Sequence, residues 1–272
     1  MTERLALATV VTESVLEEFL ILKESVDLFH PGGFSWFIRV DCVSMGRLSS
    51  ISGIHCTPFT ERLAERPDTS SFRFRKMAAE KMNAMDDAWR NGQFSSVVFL
   101  DADLIITHEL FPALQHHSAE VILVPHHFPY RHRRLEALYG RYNAGFVYSR
   151  TPQLSTWWRD AFLANPHMFA EQGPLDLITT RFSVDLLDEN ANIGAWRSPS
   201  FGLFPLLSSQ SLFLHVHLFQ PLGSPLLWIQ KMFATHCLRF LRDSNIPNHD
   251  ILFNSIIARD RSGWYKATLG IS

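Results

Sequence analysis

The stretch VVFLDADL (residues 97–104) writes four apolar residues and then two aspartates, Asp101 and Asp103, separated by Ala102. Paired carboxylates are hard oxygen donors. They suit Mg²⁺ or Mn²⁺, cations that keep some of their water and bridge to phosphate oxygens. The bland alternative is a strand surfacing into solvent. A second pair lies far downstream, where LHVHL (214–218) sets His215 and His217 on one face of an extended backbone. Imidazole ligates metals of the Mn²⁺ class, so one of these histidines can complete a site begun by the aspartates. The competing reading is two half-buried histidines with ordinary hydrogen-bond partners.

Other residues carry weaker signals. Arg73, Arg75 and Lys76 open the segment before the Asp-x-Asp run, and surface charge explains them as well as anion binding does. The run PHHFPYRHRRLEALYGRYN (125–143) gathers His126, His127, Arg131, His132, Arg133 and Arg134. It would grip an acidic or phosphorylated acceptor, or more commonly form a solvated loop and helix start. Trp157 and Trp158 sit at helical spacing beside Leu154 and read as core.

Such groups need a scaffold that brings them together. LALATVVT (5–12) is a short β-branched apolar run followed by a helical pattern over 13–29, and FSWFIRV (34–40) reads as a second strand after the turn PGG. Residues 71–92 form a helix stopped by Asn-Gly, and SVVFL (96–100) is the next strand. Strand and helix alternating in this way predict a mostly parallel sheet with helices on its faces, and ligands gather at the carboxyl ends of such strands. Further on, 142–150 and 211–219 read as strands, 151–165 as a helix, 173–182 as a helix or turn, and 224–244 as an amphipathic helix.

Composition narrows the class. At 272 residues with 46% hydrophobic and 19% charged residues, the chain is globular in composition. A formal net charge of −2 argues against nucleic acid as a partner. Cys42, Cys56 and Cys237 form no C-x-x-C pair, which is reduced-compartment usage and reads as cytoplasmic. The apolar run near residue 5 is too short for a signal peptide, and the stretch 201–229 is broken by Gln, His and Pro.

Taken in order, VVFLDAD, YNAGFVYSR, EQGPLD and LHVHLF resemble the motifs of GT-A-type nucleotide-sugar glycosyltransferases, most closely the retaining group related to bacterial galactosyltransferases and glycogenin. The likeness spans about residues 5–220 as an order of motifs. It implies a GT-A-like catalytic domain over 1–222, a helical extension over 223–272, and hexosyl transfer with retention from a UDP-sugar to a hydroxyl acceptor. By the same resemblance Asp101 and Asp103 hold Mn²⁺ (or Mg²⁺), the first also meeting the ribose, and His217 or His215 adds a ligand. Thr12, Lys76, Ala102, Asn143, Ala144 and Gly145 meet the donor, while Glu171 and Gln172 lie beside the reacting carbon. Thr12 is equally a helix N-cap. Glu171 stands where the family more usually has aspartate, and an inverting enzyme would use Glu171 or Asp176 as base. In NIGAWR (192–197), Gly194 and Trp196 suit a sugar-lining loop. Two other readings share the acids: a metal-dependent phosphohydrolase, and a sugar-nucleotide-binding protein without turnover. Leu227, Trp228, Phe233 and Phe240, with Lys231, Arg239 and Arg242, offer a peripheral membrane contact against the alternative of a core-packed helix.

Overall fold

In the computed structural model, residues 4–60, 70–126, 128, 134–165, 171–197, 207, 211–219 and 225–271 are described. The chain begins β1 (Leu5–Val11), α1 (Leu16–Phe29), β2 (Ser35–Val40), α2 (Cys42–Leu48), β3 (Ile54–Pro58) and α3 (Ser70–Arg90). It continues β4 (Ser96–Leu100), β5 (Leu104–Ile106), α4 (Leu110–Gln115), β6 (Val121–Pro125), α5 (Arg134–Tyr139), β7 (Tyr142–Ser149) and α6 (Gln153–Ala164). A 3₁₀ segment (Gly173–Thr180) leads to β8 (Val184–Leu186), β9 (Asn192–Gly194) and β10 (Phe213–His215). Helices α7 (Pro225–Asp243), α8 (His249–Arg259) and α9 (Trp264–Leu269) follow.

Seven strands form the main sheet in the order β3-β2-β1-β4-β7-β6-β8. All neighbours are parallel except the two pairs made by β7. The inner strands are buried on both faces because alternate residues feed different helices, while the edge strands β3 and β8 are partly exposed. Leu5, Leu7 and Val11 of β1 pack with Leu16, Phe19 and Leu22 of α1. Ala6 and Ala8, pointing the other way, pack with Met82 and Met85 of α3 and with Trp158 of α6. Trp158 is fully buried, as its spacing predicts, and Trp157 packs partly buried against the same cluster.

A small second sheet, β5-β10-β9, lies beyond the carboxyl end of β4. It joins the C-terminal helices in a third core, where Ile105, Ile193 and Leu214 meet Phe233, Cys237, Leu238 and Leu241 of α7. The packed face of α7 therefore includes Phe233, and Lys231 is also buried. Of the side chains offered for membrane contact, Trp228 is exposed, and nothing is described of the Leu227 side chain. Among the described residues, no helix is long and apolar enough to cross a membrane. The strand expected over 211–219 is regular only over Phe213–His215, and the Val216 N–H carries its pairing with β5 one step further by donating to the Asp103 carbonyl at 2.9 Å.

Candidate active site

Asp101 and Asp103 occupy the turn that hands the chain from β4 to β5. The Asp101 N–H donates to the Gly145 carbonyl on β7 at 2.8 Å, and the Leu104 N–H closes the turn on the Asp101 carbonyl at 3.2 Å. It is this turn, and not the two-residue alternation of a strand, that brings both carboxylates to one side. Phe99 and Leu100, fully buried just before it, anchor the turn in the core.

The histidines arrive because β10 pairs with β5. His215 stands opposite Leu104, which puts its Nε2 3.2 Å from Asp103 Oδ1. His217 reaches the same carboxylate from beyond the strand end, with Nδ1 2.8 Å from Asp103 Oδ2. Asp101, Asp103 and His215 each offer a ligand atom within 4.8 Å of the others. Two carboxylates are the oxygen donors that Mn²⁺ and Mg²⁺ favour, and the added imidazole suits Mn²⁺ better than Mg²⁺. The backbone leaves room for it. A Cβ added at Gly145 would lie 3.0 Å from Asp101 Oδ2, 2.9 Å from His215 Cε1 and 2.7 Å from Asn143 Oδ1, so only glycine lets these groups close up. The residues present fit a divalent cation.

Lys81 of α3 is the residue that sequence reading missed. Its Nζ lies 2.8 Å from Asp101 Oδ1 and 2.6 Å from Glu171 Oε1, tying the two acids together. The signal was present: Lys81 falls in the buried stripe of Ala78, Met82 and Met85, where a cation needs a partner. Burial pushes the Lys81 ammonium down, but Asp101 and Glu171 outweigh it and raise its pKa. Burial likewise pushes Glu171 up, and Lys81 overcomes this to hold its carboxyl below the usual range. The two aspartates part company. Burial raises Asp101, with Lys81 only partly opposing, whereas His215 and the hydrogen bonds from both histidines outweigh burial and hold Asp103 well below the ordinary carboxylate value. His217 is raised: the Asp103 bond prevails over burial.

Asp101, Asp103, Lys81, Glu171 and His217 line a cleft of about 340 Å³ together with Thr12, Ala102 and Met77, and His215 stands behind it against Asp103. Thr12 makes no N-cap bond; its hydroxyl meets Ser14 Oγ at 2.8 Å, and the Asp41 carboxylate takes the Glu13 N–H instead. Lys76 is not among the lining residues, and the side chains of Arg73 and Arg75 lie outside the described residues. The Glu171 carbonyl accepts the Trp158 indole N–H at 2.6 Å, and Gln172 Oε1 accepts the Ala144 N–H at 3.4 Å. Asp176 is turned away, its carboxylate accepting the Arg141 N–H at 2.8 Å.

Asn143 is only 4% exposed and fully engaged by protein. Its Oδ1 accepts from Gly145 N–H at 2.8 Å and from Asn192 Nδ2 at 3.1 Å, and its Nδ2 lies 3.1 Å from His126 Nε2. His126 Nδ1 lies 3.0 Å from the Gly140 carbonyl. With a carbonyl at Nδ1 and an amide N–H at Nε2, the ring is the neutral Nδ1–H tautomer. Burial lowers its pKa to about 4. His126 thus belongs neither to an anion grip nor to a solvated loop. His127, Arg131, His132 and Arg133 of the same run lie outside the described residues, and Arg134 is exposed on α5.

No model of a known protein family matches the chain, and neither does any curated protein. Among solved structures, it is similar to the apo structure of WbbM, a bifunctional glycosyltransferase, with a TM-score of 0.51 and 13% identity. The match covers 94% of this chain and 52% of WbbM, so the chain spans about half the length of that protein. The fold is accordingly GT-A-like: a mostly parallel central sheet with flanking helices and further helices at the C-terminus.

Proposed function

We propose that this chain moves a sugar from a nucleotide-diphosphate sugar, a UDP-sugar in the first instance, to an acceptor hydroxyl, with retention at the anomeric carbon and Mn²⁺ or Mg²⁺ as cofactor. The observation that carries the reading is the Asp101, Asp103 and His215 cluster beside the Lys81–Glu171 pair at the carboxyl end of β4, with both acids of the cluster and the pair lining one cleft. A glycosyltransferase neighbour in fold agrees with it.

A divalent cation held by Asp101, Asp103 and His215 or His217 supplies, when bound, Lewis-acid neutralisation of a departing diphosphate. The chain's own groups do the rest. Glu171, kept ionised by Lys81, presents negative charge to an oxocarbenium-like transition state, and the Gln172 amide adds an oxygen dipole on the same loop. Thr12, at the end of β1, offers its hydroxyl to the base, and Ala102 lets the donor approach the turn backbone. Gly145, with Ala144, keeps β7 flat against the acids. Partial burial of these groups limits the water that reaches the reacting carbon. Residues 1–222 carry the reaction in this reading, residues 223–272 are a helical extension on it, and the compartment is the cytoplasm.

The test is a UDP-sugar panel incubated with Mn²⁺, with EDTA, and with the Asp103→Asn variant. UDP release that needs Mn²⁺ and Asp103, and a product anomer matching the donor, is the expected result. Release of inorganic phosphate instead would establish the phosphohydrolase, and binding without turnover the non-catalytic reading.

A further inference from the structure

We infer that Trp196 is a positioning residue for His215, fixing the ligand ring by packing in place of a hydrogen bond. The inference rests on the metal site proposed above. Histidines that hold metals nearly always have their second ring nitrogen tied by a hydrogen bond, which sets tautomer and ring angle. His215 departs from this. Its Nε2 faces Asp103, but Nδ1 is buried and has no hydrogen-bond partner among the described residues. Something else must hold the ring.

Two surfaces do. On one side the His215 Cε1 lies against bare Gly145, at a distance that a methyl group would close to 2.9 Å. On the other the Trp196 ring meets His215 nearly at right angles, 88°, with centroids 5.0 Å apart. That geometry is the edge-to-face arrangement favoured by ring quadrupoles. The indole is itself held. Its Nε1–H donates to the His126 carbonyl at 3.0 Å, and its ring meets the His126 imidazole edge-on at 5.7 Å and 87°. Gly194, which pairs with His215 across β9 and β10, completes the seat, because a Cβ there would overlap the Trp196 six-membered ring. His126 is anchored in turn on Gly140 and Asn143, so the chain of contacts runs from a buried histidine through an indole to the metal-site histidine. The indole thus sits between two imidazoles and over a glycine.

The experiment measures Mn²⁺ affinity by calorimetry, and the visible spectrum of the Co²⁺ form, for wild type, Trp196→Ala, Trp196→Phe, Gly194→Ala and Asp103→Asn. Thermal melts in EDTA serve as the folding control. Trp196→Ala should weaken Mn²⁺ binding by roughly 10–100-fold, the usual cost of losing a ligand's support, and shift the Co²⁺ bands. Trp196→Phe, which keeps an aromatic edge, should restore most of the affinity. Gly194→Ala, a smaller change that displaces the indole, should reproduce the loss even if Trp196→Ala fails to fold. Wild-type Mn²⁺ affinity and an unchanged Co²⁺ spectrum in Trp196→Ala or Gly194→Ala overturn the inference, as does a change confined to donor KM. If Asp103→Asn also binds Mn²⁺ normally, the metal site itself falls; if Asp103→Asn alone loses it, only the role of Trp196 does.

Discussion

His126 makes the acid stability of this protein predictable. Folding holds its imidazole neutral, since burial depresses the pKa from 6.5 to about 4. The folded pKa lies below the unfolded one, so the stabilising difference is fully present above pH 6.5. It is lost as pH falls, because only the unfolded chain takes up the proton until pH nears 4. At 1.36 kcal/mol per unit, the interval of about 2.5 units is worth about 3 kcal/mol. In His126→Gln the hydrogen-bonding pattern is disturbed, which costs about 1–2 kcal/mol at pH 7.5, but the titration is gone. The variant should therefore begin less stable than wild type and draw level near pH 5.5, overtaking it below. Urea unfolding from pH 7.5 to 4.5, in EDTA so that metal release does not intrude, follows both curves. His30, His108 and His249 are lowered by burial as well and act in the same direction, but they are common to both proteins and cancel. Parallel curves across the whole range would refute the argument and return His126 to an ordinary hydrated environment.

Three further outcomes are expected. Lys81→Met strands the Asp101 and Glu171 carboxylates without their shared cation and should cost about 3–5 kcal/mol in metal-free unfolding experiments, as broken buried ion pairs do; a change below 1 kcal/mol would mean that water already compensates these charges. Gly145→Ala forces a methyl between Asn143, His215 and Asp101, so a loss of about 1–3 kcal/mol in stability and a clear fall in Mn²⁺ affinity should appear together by thermal melt and calorimetry. Anionic liposomes should not co-sediment the protein at low salt through α7, because Phe233 and Lys231 are already buried in its packed face; co-sedimentation abolished by Trp228→Ser would show otherwise.

What could be read from the sequence followed from local pattern. Val97–Leu100 announces a buried strand, and acids placed directly after it mark a sheet end, so the address of Asp101 and Asp103 was visible. Helix α3 announced itself through Met82 and Met85 and its Asn-Gly stop. The pairing of β5 with β10 was not visible, because it joins two three-residue strands more than a hundred residues apart, too short for any periodicity to register. Helix α2 was equally silent at seven residues, its start fixed by one bond from Ser44 N–H to the Asp41 carboxylate. His126 was misread for the opposite reason. Its neighbours in sequence are polar and cationic, while its burial is decided by Gly140, Asn143 and Trp196, none of which is local to it.

The charges at the site suit a divalent cation better than a further basic side chain. Asp101, Asp103 and Glu171 bring three carboxylates against the one ammonium of Lys81, a formal excess of two negative charges before the histidines are counted. Buried charge left uncompensated costs several kcal/mol, and a single added lysine would correct only half of it. The chain's own remedies are partial: Lys81 serves the Asp101 end, and His217, whose pKa is raised beside Asp103, serves the other. The two acids of the Asp-x-Asp run are therefore unequal before any ligand enters. Asp101 shares its oxygen with an ammonium that also grips Glu171, so a change there disturbs the Lys81–Glu171 pair as well. Among the described residues, the Asp103 carboxylate is held by the His215 and His217 imidazoles, side chains whose ring nitrogens are also common metal ligands.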